Sequence, residues 1–348
     1  MKRWLSISGR YCVTSLLVGV MWPLFVTGAV GAPSEGFGPF PVRDFQPLHM
    51  LVLGMFGDRA QVLKKGTLDI RTEFANTSAI FREQTNPPHF AFVDATVKFE
   101  TLRSGLFLRY GLTDRLEVGM EVPALYRYPG AMEGAITATE RAFARMTGTR
   151  EGLRNTGYAF NVSRNGQTLF AGSGHALGLG DITLIGKYQI LTQNQQIPAV
   201  SLRLAVKVPS GDDARFFGSG HPDVGIGLAV EKAIASDWIL YSNVNGIFPT
   251  GTISGLKLGP VFSGLAAVEY LWSPAFSLVA QFDYYSSPFD NTGVKLLDRG
   301  VTEVAAGFNY RLRHNLLWQV YGVENLDFVG GGAADFTIST VLTYRFPQ

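Results

Sequence analysis

The 348-residue sequence has a single cysteine, Cys12, and after its first segment it has no apolar run approaching the ~18 residues of a membrane-spanning helix. The first absence excludes a disulfide framework or a cysteine-rich metal fold, and the second excludes a bundle of transmembrane helices. Charge is also sparse: charged residues make up 17% of the chain and the formal net charge is +2, without the basic stripe of a nucleic-acid binder. Neither G-x-S-x-G nor H-E-x-x-H occurs, and no cofactor is expected. What is abundant is apolar and aromatic: 46% hydrophobic residues, 12% aromatics and 40 glycines, too apolar for a disordered polymer.

The start of the chain has the form of a secretory signal peptide. Lys2, Arg3 and Arg10 precede a charge-free stretch from Leu16 to Val26, and the small residues T-G-A-V-G-A follow, placing a cut near Gly31 or Ala32. An uncleaved anchor is the alternative; Pro23 and the closing small residues speak against it. Removing residues 1–31 takes away three bases and Cys12, leaving 27 bases against 28 acids and no thiol. No lipobox surrounds Cys12. An exported chain without thiols fits a Gram-negative envelope.

A two-residue period runs through nearly all of the remainder. It predicts twelve strands: 66–81, 91–112, 116–128, 179–191, 198–209, 222–234, 238–249, 257–271, 276–287, 300–312, 316–326 and 334–346. Tight turns such as Thr113-Asp114-Arg115, Ser273-Pro274 and His314-Asn315 alternate with long loops at 82–90, 129–178, 210–221, 250–256 and 288–299. Short turns at one end and long loops at the other are the wiring of an all-β, antiparallel, up-and-down transmembrane barrel. A soluble sandwich would also alternate, but its strands are shorter. The division expected is a signal peptide at 1–31, a periplasmic N-terminal segment and candidate plug at 32–65, and an outer-membrane barrel at 66–346. Face parity switches near Leu102–Gly105, which reads as a bulge.

On the apolar face, Tyr110, Tyr188, Trp238, Tyr270, Trp272, Phe276, Tyr310, Trp318, Tyr344 and Phe346 fall at the short-turn ends. That is the pattern of an aromatic girdle. The opposite face then lines the lumen. Its acids are Asp69, Glu73, Asp94, Glu100, Glu117, Glu121, Asp181, Asp223, Glu231, Glu269, Asp283 and Glu303. Its bases are Arg71, Lys98, Arg109, Arg127, Lys187, Arg203, Lys207, Arg311 and Arg345. Twelve strands lie between the filled eight-stranded barrel and the open porin, so these charges either pair across the lumen or line a weakly selective passage.

The 129–178 loop contains a helix-forming stretch, A-I-T-A-T-E-R-A-F-A-R-M, which could constrict the mouth, present Arg141, Arg145, Arg150 and Arg154 to lipopolysaccharide, or lie solvated. Asn165-Gly166 marks a small hairpin. The echo G-S-G-H at 172–175 and 218–221 lacks a βαβ context for nucleotide binding, and His175 and His221 have no carboxylate motif for a metal. A twelve-stranded phospholipase would need a histidine beside a serine on an outward strand position, and none falls there.

Three phrases, R-Y-G-L-T-D-R-L-E-V-G-M-E-V-P (109–123), G-L-G-D-I-T-L-I-G-K-Y-Q-I-L (178–191) and L-R-L-A-V-K-V-P-S-G-D (202–212), resemble an uncharacterised family of Gram-negative outer-membrane barrels. With F-Q-P-L-H-M-L-V-L-G-M (45–55) they are also similar to the barrels encoded with phenol and other aromatic meta-cleavage pathways, often described as transporters. The resemblance covers about residues 40–346. It implies an outer-membrane channel with an undefined small-molecule solute, in contact with membrane lipid and lipopolysaccharide and inserted by the barrel-assembly machinery. The reading from the residues alone keeps two functions open: a channel for small, including hydrophobic, solutes, and a structural or partner-binding barrel closed by ion pairs and a folded-in loop. Neither is an enzyme.

Overall fold

Twelve antiparallel strands close on themselves in the computed structural model, which describes residues 35–85, 92–143, 148–326 and 334–346. The expected signal peptide, 1–31, lies outside the described residues. In chain order the strands are β1 (Leu68–Thr85), β2 (Val93–Gly111), β3 (Leu116–Tyr128), β4 (Ala159–Arg164), β5 (Gln167–Ala171), β6 (Ala176–Leu179), β7 (Ile182–Leu191), β8 (Ala199–Val208) and β9 (Asp223–Ala233). There follow β10 (Trp238–Pro249), β11 (Thr252–Ile253), β12 (Leu256–Lys257), β13 (Val261–Ser273), β14 (Phe276–Tyr285), β15 (Val301–Arg313), β16 (Leu316–Asn325) and β17 (Ala334–Phe346). The wall runs β1-β2-β3-β7-β8-β9-β10-β13-β14-β15-β16-β17, and β17 returns to β1 from Leu68↔Phe346 to Ala79↔Ala334. Closure leaves the wall with no free edge, so each strand satisfies its backbone on both sides.

The outer face carries the girdle. Trp238 lies across from Tyr270 with ring centroids 4.7 Å apart, Phe276 from Tyr310 at 6.4 Å, and Tyr344 packs on Phe346 at 4.7 Å. Tyr110, Tyr188, Trp272 and Trp318 continue the belt at the short-turn end. At the long-loop end Tyr126 stacks on Tyr128, and Phe248 and Phe262 are exposed. Ten residues of tilted strand separate Trp238 from Phe248, about 25 Å, the height of a transmembrane barrel's apolar band.

Strand β2 corrects one expectation. It pairs with β1 without a break from Leu68↔Tyr110 to Thr85↔Val93, so there is no bulge at 102–105 and the odd residues face inward throughout. Lys98 and Glu100, with Asp94, therefore share the outer face with Leu102 and Leu106 and do not line the lumen. Lys98 and Glu100 are buried because part of the long loop covers the wall there. Glu100 accepts from Met132 N at 2.7 Å and from Tyr128 Oη at 2.8 Å, while Lys98 donates to Leu153 O at 2.8 Å. Helix α1 (Glu133–Phe143) begins on this cover, and α2 (Gly148–Gly152) buries Arg150 against Glu133 and Asp335. The helical part of the loop thus packs on the outside of the β1–β2 extension and does not constrict the mouth.

Asn165 and Gly166 adopt φ 52° and 77°, the left-handed pair of a tight hairpin turn, and join β4 to β5. Strand β4 takes over from β3 as the neighbour of β2 above Glu100. It carries Phe160 and Val162 into an apolar cluster with Phe99, Phe170, Ile253, Phe289 and, from the short helix α3 (Lys295–Asp298), Leu296 and Leu297. This cluster roofs the long-loop end.

Leu204, near the middle of β8, faces outward and is 49% exposed. Leu204→Arg is expected to lower the free energy of unfolding in lipid by about 2–4 kcal/mol, measured by urea titration of the refolded barrel.

Candidate functional site

Residues 36–65 lie inside the barrel. The segment forms no strand and enters at the short-turn end. Phe37 N and Gly38 N donate to Glu269, and Phe40 N donates to Gln281 Oε1 at 2.9 Å. It rises along the β10–β17 side, where Phe40 stacks on Tyr321 at 4.5 Å and Val42 joins Val279, Leu265 and Val341. A short 3-10 helix, His49–Leu51, makes the apex, with Leu48, Leu51 and Val52 in the roof cluster. The chain then descends along the β2–β9 side to β1. Gly57 N donates to Val42 O at 3.2 Å, joining the two limbs.

The descending limb has no ladder, so wall side chains satisfy its backbone. Lys207 donates to Leu51 O at 2.6 Å, Leu53 N donates to Asp223 at 2.8 Å, and Arg203 donates to Phe56 O at 2.6 Å. Asn243 accepts from Asp58 N at 2.8 Å and donates to Asp58 O at 3.0 Å. Ser201 bonds Ala60 O, and Leu63 N donates to Glu117 at 2.9 Å. Buried backbone groups require such partners, which is why an interior this narrow is lined with long polar side chains.

The charges form tiers. Near the roof Lys207 sits between Asp181 at 3.1 Å and Asp223 at 2.8 Å, so the two glycine-rich echoes lead to acids that clamp one lysine. Arg127 donates to the Arg215 and Phe216 carbonyls. At mid-height Arg103 bridges Glu73 and Glu121, and Arg43 of the hairpin lies 3.6 Å from Glu121. Below this Asp58 accepts from Arg109 at 2.5 Å and Lys187 at 3.1 Å, and both bases also reach Glu117. Burial by itself would raise the Asp58 carboxyl pKa; Arg109 and Lys187, then Arg203 and Arg71, outweigh it and hold the group well below the usual carboxylate range. At the short-turn mouth Arg59 pairs with Glu231 at 2.7 Å and Arg345 with Asp69 at 2.9 Å. Asp283 and Glu303 face each other across β14 and β15, and Arg311 stacks on Phe37.

The hairpin thus engages about half of the charged positions that the two-residue period projects inward, Glu117, Asp223, Glu231, Arg109, Lys187 and Lys207 among them. It also adds partners that the strand pattern does not contain, namely Arg43, Asp58 and Arg59. Arg103 is the residue that sequence reasoning missed on the wall; alternation carried upward unbroken from Arg109 would have found it. His175 bonds Tyr126 Oη at 2.8 Å, and among the described residues no group of side chains is arranged to hold a metal ion.

Little space remains in the middle. The concavity beside Arg43, Arg103 and Lys207 holds about 20 Å³, whereas a polar cavity of about 400 Å³ opens at the short-turn mouth. A separate apolar groove of about 860 Å³ lies on the wall, where Ala266, Ala280, Ala306 and Gly322 leave a depression between Phe282 and Phe336.

The family model described as a protein of unknown function, DUF3187, matches residues 16–346. The chain belongs to that family. No curated protein matches the sequence. Among solved structures the COG4313 outer membrane channel from Pseudomonas putida F1 is similar, with a TM-score of 0.56 and 14% identity over 82% of this chain and 98% of that one. That likeness shows a shared fold, the closed barrel of an outer-membrane channel. The NanC porin (TM-score 0.44, 12% identity, 81% of this chain and 100% of that one) and the Pseudomonas putida toluene transporter TodX (0.38, 11%, 82% and 91%) are more distant.

Arg103 is about 2% exposed and has two carboxylate partners. Arg103→Met should destabilise the folded barrel by about 3–5 kcal/mol, read by chemical denaturation, because it leaves Glu73 and Glu121 buried without their shared cation. Substituting Glu73 with Gln in the same chain should recover part of that loss.

Proposed function

We propose that this family member is an outer-membrane channel for small solutes, exported by way of residues 1–31, whose resting lumen is held shut by its own N-terminal hairpin. One observation carries the reading: the wall closes completely without residues 36–65, which occupy the lumen as a non-covalent insert with one end continuous with β1. A barrel that is complete without its contents can release them and remain folded. The resemblance to barrels of aromatic-degradation pathways favours small organic solutes, and the aromatic belts fit immersion in a lipid bilayer. In that orientation the short-turn end faces the periplasm and the roof faces outward, beside lipopolysaccharide. The hairpin, rather than the helical part of the 129–178 loop, sets the conductance.

The second reading, a structural barrel, is supported by Glu73, Arg103 and Glu121, which tie β1, β2 and β3 together without the hairpin.

Conductance in a planar bilayer separates the two. The refolded wild type should be closed for most of the recording, and Asp58→Ala, which removes the carboxylate between Arg109 and Lys187, should raise the open fraction at least tenfold. Deleting residues 131–176 should have a smaller effect. Silence from Asp58→Ala and from a chain lacking residues 36–63, both demonstrably folded, would leave the structural reading. The depressed Asp58 pKa gives the sign of the pH response. The stabilisation it brings is present above the unfolded carboxylate value and is lost only as pH falls through the lower folded value. The Asp58 contribution to closure, read as the ratio of the open fractions of Asp58→Ala and wild type, should therefore stay unchanged between about pH 7 and pH 5; a fall in that ratio across the window would contradict the Asp58 lock.

A further inference from the structure

The 400 Å³ cavity at the short-turn mouth falls in the size range of small-molecule sites, and the closure of the lumen does not account for its chemistry. Most of the charges around it are matched. Arg109 and Lys187 face Asp58 and Glu117, Arg345 pairs with Asp69, and Arg59 pairs with Glu231. Arg71 differs. It points inward from β1, its Nε is buried without a hydrogen-bond partner, and among the described residues no carboxylate forms an ion pair with it. Its guanidinium is held in place over the Phe107 ring, 5.5 Å from the centroid, and its other cross-strand neighbour, Thr343, also lines the cavity. A half-buried guanidinium with donors to spare is a fork for a carboxylate. The remainder of the cavity includes Phe37, Val62 and Leu63, an apolar wall for the body of the same molecule.

We propose that this cavity is a binding site for a small organic monocarboxylate, with the carboxylate on Arg71 and the apolar body against Phe37, Val62 and Leu63. Arg71 is the inward-pointing cation of this cavity without an ion pair among the described residues, Lys64 and Glu35 being exposed at its rim, so a ligand with a single negative charge fits it. A second negative charge would face Asp58, Asp69 and Glu117, whose own cations are already engaged. A neutral analogue would leave Arg71 as it is in the empty site. The site lies inside the barrel mouth whether or not the barrel conducts, so binding and conductance can fail independently.

The test is isothermal titration of the full refolded chain in detergent micelles at pH 7 with benzoate, benzyl alcohol, phthalate, acetate and inorganic phosphate. Benzoate should bind at least tenfold more tightly than each of the other four. Arg71→Gln should weaken benzoate at least tenfold, and Arg71→Lys, which keeps the charge but loses the fork and the stacking on Phe107, should fall between wild type and Arg71→Gln; the heat-resistant electrophoretic form of each variant reports that it is folded. No benzoate heat from folded wild type, or benzoate affinity unchanged in Arg71→Gln, would overturn the site. Benzyl alcohol or phosphate binding as tightly as benzoate would overturn the monocarboxylate assignment, the first by removing the need for charge and the second by removing the need for an apolar body.

Discussion

A carboxylate on a stretch of chain that belongs to no strand, Asp58, is the interaction around which the interior is arranged. Its oxygens take Arg109 from β2 and Lys187 from β7, its backbone takes Asn243 from β10, and Glu117 from β3 completes the square. Without the hairpin those bases would face one another across a lumen too narrow to hydrate them well, and without the bases Asp58 could not be buried. The wall and its contents are thus matched in charge. The two limbs divide the interior by chemistry: the ascending limb puts Phe40 and Val42 on the apolar inner face of β13–β17, and the descending limb offers its backbone to the charged inner face of β2–β9.

The barrel itself was legible because closure imposes the two-residue period on every strand and the chain can meet that demand only locally. Asp181 to Ile190 or Ser201 to Val208 reveal their faces without reference to anything distant. The interior was less legible for the opposite reason. Asp58 and Lys187 are 129 residues apart, and residues 36–65 carry no period, so nothing local announces that Leu53 N will meet Asp223. Strand β2 departs from the pattern for a physical reason. Inside the roof the polarity of the wall inverts: Ala95, Val97 and Phe99 face inward to the apolar cluster, while Lys98 and Glu100 face outward under the loop. Read as polar-inside throughout, that inversion looks like a bulge, and it hid Arg103, whose position follows from simple alternation.

In this chain the arrangement gives two jobs to two parts. The wall supplies the apolar belt, the aromatic borders and a continuous ladder, and a segment outside the sheet fills the lumen. The long loops contribute the roof through Phe160, Phe170, Phe289 and Leu297, while the helical stretch that the sequence brings to notice braces the outside.

The most direct measurement is amide hydrogen exchange of the full chain in lipid nanodiscs, resolved over residues 36–65. The account predicts that the amides of Phe40, Leu53, Asp58 and Leu63, each donated to a buried wall side chain, exchange far more slowly than those of the exposed turns, and that Asp58→Ala speeds the exchange of all four while leaving the strand amides protected. Exchange of these amides at the rate of exposed turns in the wild type, with the strands still protected, would contradict an N-terminal hairpin held inside the barrel.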